Sequence, residues 1–296
     1  MRIIKKLTSN PRLWIQIIFT ALTNGYVLGF AKGKIYQGGS KQFCVPGLNC
    51  YSCPGAVLSC PIGSLQAIIG SRSFNVSFYV VGFLMITGSL AGRFICGWLC
   101  PFGLVQDLLH KIPVKKVCKV PGDKYLRYLK YAVLVFFVIG MPLLLTSKSG
   151  YGSPWFCKLI CPSGTLLSGV PLIAANPNLQ KAAGLLFGWK INILILVVIF
   201  SILIHRPFCR YLCPLGAVYG LFNRFSLYRY EIDSNKCTKC GLCSKKCEMS
   251  IKVHENPNST ECIRCGKCIK VCPNSAIHTT LHKTESPDKE VRAKNR

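Results

Sequence analysis

Charged side chains are scarce in this chain, at 16% of its 296 residues, where a soluble domain of this size usually carries about a quarter. Acidic ones are scarcest, with 10 Asp and Glu against 37 Lys and Arg and a formal net charge of +27. So basic a balance first suggests nucleic acid. The placement of the basic residues argues against that partner, because they bracket apolar stretches in the positive-inside manner of membrane proteins. Four such stretches contain no Asp, Glu, Lys or Arg at all: Leu13 to Ala31, Ser73 to Gly92, Tyr131 to Ser147 and Ile191 to Ile204. Their lack of charge excludes the ionisable residues that mark a coupled transport pathway. The opening "MRIIKK" is followed by no small-residue cleavage site, so the first stretch reads as a retained signal anchor rather than a removed leader.

Each stretch approaches the ~20 residues that a transmembrane helix needs, which predicts four spans. Basic residues are denser in 1 to 12 and 93 to 130 than in 31 to 73 and 148 to 190, which places both chain ends in the cytoplasm. Two further uncharged stretches, Gln42 to Ser71 and Leu159 to Gln180, are long enough to span but rich in Pro, Gly and Cys. They read as re-entrant segments on the outer side, buried in protein, and counting one of them as a span gives a five-span alternative. Span, outer corner, span, inner corner then describes the chain twice, as a pseudo-twofold repeat. The expected domains are membrane repeats at 1–112 and 113–224, a cytoplasmic ferredoxin domain at 225–281 and a disordered basic tail at 282–296. The fold class is therefore an α-helical integral membrane protein carrying a small α+β bacterial two-cluster ferredoxin domain.

Nineteen cysteines carry the chemistry. "CTKCGLCSKKC" (237 to 247) and "CIRCGKCIKVC" (262 to 272) each give Cys-x2-Cys-x2-Cys-x3-Cys, the run of bacterial four-iron clusters rather than of zinc sites. The fourth cysteine of each run ligates the other cluster in two-cluster ferredoxins. One site is then Cys237, Cys240, Cys243 and Cys272, and the other Cys262, Cys265, Cys268 and Cys247. Thiolates of this kind need a reducing compartment, the bacterial or archaeal cytoplasm.

The remaining cysteines gather at four Cys-Pro corners: "CGWLCPFG" (96 to 103), "CRYLCPLG" (209 to 216), "CKLICPSG" (157 to 164) and the looser "CPGAVLSCPIG" (53 to 63). Proline is favoured at the first helical position, so the preceding Cys is an N-cap facing unpaired N–H groups that favour its thiolate. Each corner offers two ligands and a cluster takes four. The repeat supplies an inner quartet, Cys96, Cys100, Cys209 and Cys213, and an outer one, Cys53, Cys60, Cys157 and Cys161. Packing cysteines or a thiol-disulfide pair are the alternative for the inner quartet. Disulfides, or the competing Cys50 and Cys53 pair of "CYSC", are the alternative for the outer one. Cys44, Cys50 and Cys118 are left over.

At these residues the chain resembles the membrane polyferredoxins, the family of NapH-type proteins and of the C-terminal half of NosR-type proteins with their Cys-x3-Cys-Pro motifs. "CGWLCP", "CRYLCP" and the double cluster run carry the resemblance, over roughly residues 75 to 280. It implies a multi-pass protein of the cytoplasmic membrane that moves electrons between a quinol pool or cytoplasmic reductant and an acceptor, a component of an oxidoreductase system with unidentified redox partners. Departures are the outer corners, the lack of a flavin-attachment motif, and Glu248 where proline usually follows the first run. His205, Arg206 and Arg93, beside the inner cysteines, are candidates for a quinone-headgroup site, against the plainer reading as membrane-end anchors. The alternative function is an assembly or metal-reducing factor whose clusters activate a partner enzyme; a redox sensor is a third.

Overall fold

The computed structural model of the chain describes residues 11–70, 77–117, 121–145 and 152–281. Cys118 and the expected tail 282–296 lie outside the described residues. Helix α1 spans Pro11–Thr23 and α2 Leu28–Lys32. Leu13 to Ala31 is therefore not one continuous helix, which differs from the first sequence expectation. The physical reason sits at the end of α1, where the Thr23 hydroxyl donates to the Phe19 carbonyl (2.8 Å) and the Asn24 amide to Thr20 (3.1 Å). Such side chains compete with the backbone and favour a turn, here leading into Gly25.

Next come α3 (Pro61–Ile69), α4 (Ser77–Ala91), α5 (Phe94–Trp98) and α6 (Pro101–Leu109). A helical rod α7, Asp123–Leu144, begins well before the predicted Tyr131 and contains a π-helical stretch at Leu134–Gly140. The outer half of the second repeat consists of α8 (Trp155–Leu159), α9 (Pro162–Ala175) and α10 (Pro177–Ala182). Helix α11 (Leu185–Leu203) leads to α12 (Pro207–Tyr211) and α13 (Pro214–Phe222).

Among the described residues two helices, α7 and α11, are long and apolar enough to cross a membrane. The four-span count is thus not reached by continuous helices of full length. Only 22% and 17% of these apolar windows are buried, which a core helix of a water-soluble protein would not tolerate. Other helices also expose large apolar side chains, with Leu22 on α1, Phe78 and Ile86 on α4, Phe136 on α7 and Ile195 on α11.

After α13 the chain forms a small unit of its own. Strand β1 (Tyr230–Ile232) pairs antiparallel with β2 (Ile277–Thr279), so the two ends of the unit are tied together. Between them lie α14 (Leu242–Lys245) and α15 (Lys267–Val271). The unit repeats itself down to its strained positions: Lys239 and Arg264, Gly241 and Gly266, and Ser250 and Ser275 form equivalent pairs, all in the left-handed region. Left-handed backbone costs most residues energy, so its recurrence at equivalent points marks two copies of one loop. Tyr230, Met249, Ile251, Val253, Ile263 and Ile277 form the core of this unit, together with cysteines of both runs.

Candidate iron-sulfur centres

The sulfurs of the two tail runs line two separate spaces. Cys237, Cys240 and Cys243 share theirs with Cys272, and Cys262, Cys265 and Cys268 share theirs with Cys247. Crossing the fourth cysteine between runs follows from the repeat, since each run ends in the return of the chain toward the other loop. Cys240 is the exposed cysteine of the first set, whereas Cys262 and Cys268 of the second are buried.

At the inner corners, Cys100 and Cys213 occupy the N-caps of α6 and α13, each followed by proline at the first helical position. Their partners Cys96 and Cys209 sit on the one-turn helices α5 and α12 immediately before. Each Cys-x3-Cys motif is therefore a single helical turn, a break and a new helix. Cys100 and Cys213 both lie near enough to Cys96 and Cys209 to act on them electrostatically, so these four sulfurs are neighbours. N–H groups aim at the sulfurs: Gly216 donates to Cys213 at 3.4 Å, and Leu48 and Gly103 donate to Cys100. Such bonds favour the thiolate.

Buried charge surrounds this quartet. Arg93 is fully buried and donates to the Cys209 carbonyl (2.9 Å), the Thr260 carbonyl (2.8 Å) and the Glu261 carboxylate (2.8 Å). Buried Lys130 shares that same carboxylate. On the other side Arg206, also fully buried and at φ 50°, holds both oxygens of Asp107 (2.7 and 2.6 Å) and the Cys96 carbonyl, and Arg12 shares Asp107 at 2.7 Å. Among the described residues, each of these two networks places two basic side chains on one carboxylate. Burial pushes the Asp107 carboxyl upward, but Arg206, His205 and Arg12 hold it well below the ordinary range. A surplus of buried positive charge is costly unless an anion balances it. Iron held by four thiolates is such an anion, so the residues fit the group. Among the described residues no three His, Cys, Asp or Glu side chains draw together tightly enough for a single metal ion. A four-iron cube holds its ligand sulfurs farther apart than a lone zinc does.

Arg93 and Arg206 are thus consumed in holding the corners and do not line a quinone cavity, which corrects that part of the sequence reading. His205 is different. It lies 3.1 Å from both Asp107 and Glu248 and, with His110, Lys111 and Cys265, borders a space of about 550 Å³.

The tail is seated directly on the inner corner. Arg264, between Cys262 and Cys265, is buried and donates to the carbonyls of Ala91 (2.9 Å) and Asn223 (2.8 Å) and to the Ser226 hydroxyl (2.6 Å). Trp98 of α5 donates to the Arg264 carbonyl at 3.0 Å. Asn223 donates to the carbonyls of Ser259 (2.9 Å) and Cys262 (2.8 Å). Gly97, adjacent to Cys96, is pressed so closely on Ile263 that a Cβ there would overlap the Ile263 carbonyl oxygen. The second tail site and the inner quartet consequently share one buried seam.

The outer cysteines do not assemble as predicted. Cys60 and Cys161 are N-caps of α3 and α9, and Cys157 sits on α8. The fourth sulfur beside them is Cys50, not Cys53: Cys50, Cys60, Cys157 and Cys161 border a space of about 300 Å³. Cys53 turns away, its sulfur receiving the N–H groups of Gly55 and Ala56. Sequence reasoning also missed two buried glutamines. Gln106 donates to Cys209 Sγ (3.1 Å) and accepts from the Phe208 N–H (3.2 Å), while Gln66 donates to Cys157 Sγ (3.3 Å) and accepts from the Phe156 N–H (2.9 Å). The signal was present in "CPFGLVQ" and "CPIGSLQ", where Gln holds the same place after each corner.

Comparison with known proteins finds iron-sulfur domains in the same segments of the chain. A 4Fe-4S binding domain model matches residues 74–119, 131–172 and 189–229, and a second 4Fe-4S binding domain model matches 256–278. The chain is 30% identical over 205 residues to the uncharacterized protein MJ0750 of Methanocaldococcus jannaschii, covering 66% of this chain and 75% of that one. It is 33% identical over 178 residues to the uncharacterized protein MJ0749 of the same organism, covering 58% and 57%. With the ferredoxin-type protein NapH of Haemophilus influenzae it shares 30% identity over 176 residues, 57% of this chain and 50% of the other. The match thus spans little more than half the length of several of these relatives. No solved structure matches. The chain binds 4Fe-4S clusters and belongs to the membrane polyferredoxin family.

Proposed function

We propose that this protein is an integral membrane electron-transfer subunit of an oxidoreductase system, in which the two tail sites and the inner quartet act in series. The observation that carries the reading is the seam: Arg93 contacts at once the Cys209 carbonyl of the inner quartet and Glu261, the neighbour of Cys262 in the second tail site. Clusters at these cysteines supply one-electron transfer between iron valence states, with no acid, base or nucleophile required. The protein's part is position and potential. It leaves Cys240 exposed toward a soluble redox partner and buries Cys262 and Cys268 behind it. Beyond them it sets Arg93, Arg206 and Arg264 where they stabilise the electron-rich state.

The apolar flanks of α7 and α11 support insertion in the cytoplasmic membrane, and the basic segments at both ends of the first repeat support a cytoplasmic tail. The space beside His205 and Cys265 suits a quinol headgroup as the second port. There, His205, oriented by Asp107, would accept the hydroxyl protons in turn and release them to solvent while electrons leave one at a time. A maturation or metal-reducing role finds no specific support in the site.

The test adds chemically reduced ferredoxin, or a short-chain quinol, to the anaerobically purified protein and follows cluster reduction by absorbance and electron paramagnetic resonance. Reduction at turnover-competent rates by either donor is expected. Failure with both would overturn the conduit and return the maturation role.

A further inference from the structure

We infer that Cys50, Cys60, Cys157 and Cys161 form a fourth iron-sulfur site, the structural counterpart of the inner quartet, and that a single peptide unit separates the two. The inference extends the series proposed above and rests on it only for its role in electron flow. The ligand set itself stands on geometry.

The correspondence is residue by residue. Cys60 caps α3 as Cys100 caps α6, and Cys161 caps α9 as Cys213 caps α13. Gln66 holds Cys157 Sγ and the Phe156 N–H, as Gln106 holds Cys209 Sγ and the Phe208 N–H. A buried amide that grips a sulfur and the neighbouring backbone in both halves has no counterpart in simple thiol packing. Only the fourth member departs from the pattern, because Cys50 comes from a loop instead of a one-turn helix. The Gly164 Cα position confirms that it faces inward: a Cβ there would lie 3.6 Å from Cys50 Sγ and 4.0 Å from Cys161 Sγ.

The surroundings suit a thiolate-bound cluster. N–H groups of Ile62, Gly63 and Asn49 point at the Cys60 sulfur, and those of Ser163 and Gly164 at Cys161. Lys158 and Lys190 border the space and offset anionic charge, Lys190 acting on Cys161 directly. The space of about 300 Å³ equals roughly ten water volumes, enough for an eight-atom cube. All four cysteines are free, without disulfides.

The outer site also lies close to the inner one. Leu48 and Asn49 are consecutive, yet the Leu48 N–H points to Cys100 of the inner quartet and the Asn49 N–H to Cys60 of the outer. Adjacent Cα atoms are 3.8 Å apart, so two such bonds hold these sulfurs within about 12 Å of each other. Buried Tyr219 fills the space alongside, its hydroxyl donating to the Pro46 carbonyl at 3.0 Å.

The experiment compares the full-length protein with its Cys50→Ala and Cys53→Ala variants, each purified anaerobically and assayed for iron, acid-labile sulfide and electron paramagnetic resonance. Cys50→Ala is expected to lose about four irons and four sulfides while the other cluster signals persist, and Cys53→Ala to lose none. Persistence of those signals shows that the variant is folded. Equal iron in Cys50→Ala and the parent, or loss in Cys53→Ala alone, overturns the ligand set. A Gln66→Leu variant adds a readout that packing alone would not move: full iron content with a shifted reduction potential for one cluster. An unchanged set of potentials would show that Gln66 touches no cluster ligand. Donor oxidation that continues with the outer irons missing would leave the tail-to-inner series intact and confine the failure to the fourth site's role.

Discussion

Arg93 and Glu261 are separated by most of the chain, yet they form an ion pair of 2.8 Å with side chains 0% and 5% exposed. The pair joins the membrane bundle to the tail, and Lys130 of α7 leans on the same carboxylate. Removing the shared anion strands two buried cations. Glu261→Gln should therefore destabilise the seam by about 3–5 kcal/mol, read as a lower midpoint of cluster bleaching in urea.

The same pair fixes a pH dependence. Burial pushes the Glu261 carboxyl up, but Arg93 and Lys130 more than offset this and hold it below the ordinary glutamate range. The unfolded chain therefore binds its proton more readily than the folded one. The contribution is fully present above the unfolded value of about 4.3 and is lost as pH falls through the lowered native one. Stability of the parent should change little from this group between about pH 6 and 8 and fall in acid, and Glu261→Gln should remove that share of the acid limb.

Gly97 lies where a methyl group would overlap the Ile263 carbonyl oxygen. Gly97→Ala should open the seam without removing any ligand. Iron content should match the parent, while stopped-flow reduction of the membrane clusters through the tail slows and protease releases the tail earlier.

Cys272 shares its space with Cys237, Cys240 and Cys243 although it belongs to the second run. Cys272→Ser should therefore perturb the paramagnetic signal of the first-run cluster. Damage confined to the second run would contradict the crossed arrangement.

Fusions of a periplasmically active phosphatase examine topology. A reporter joined after Ser40 should be active and one joined after Lys116 silent, if the basic segment before α7 is cytoplasmic.

The tail was legible in the sequence because its ligands follow one another at fixed local spacing, which needs no tertiary knowledge. The inner quartet was legible because Pro101 and Pro214 force helix starts and the repeat supplies the partner. Cys50 was not, since which cysteine of "CYSC" turns inward depends on a turn in which the Cys53 N–H donates to the Cys50 carbonyl at 3.1 Å. Arg93 and Arg206 looked like membrane-end anchors or headgroup ligands because spacing shows only that they neighbour Cys96 and Cys209. Their carboxylates, Glu261 and Asp107, come from distant segments. The break after Thr23 was hidden in an uninterrupted apolar run whose polar Thr and Asn bend the chain through local hydrogen bonds.

The adjacency of Leu48 and Asn49 bears on how the membrane voltage acts on the protein. A charge crossing the whole hydrocarbon layer of about 30 Å works against roughly 2.3 kcal/mol per 100 mV. With Cys100 and Cys60 held within about 12 Å, an electron passing between the inner quartet and the proposed outer site through these two ligands would traverse about 40% of that layer, or roughly 1 kcal/mol at 100 mV. At 100 mV an energised membrane would then tilt this proposed step by about fivefold, leaving the potentials of the two sites to set its direction.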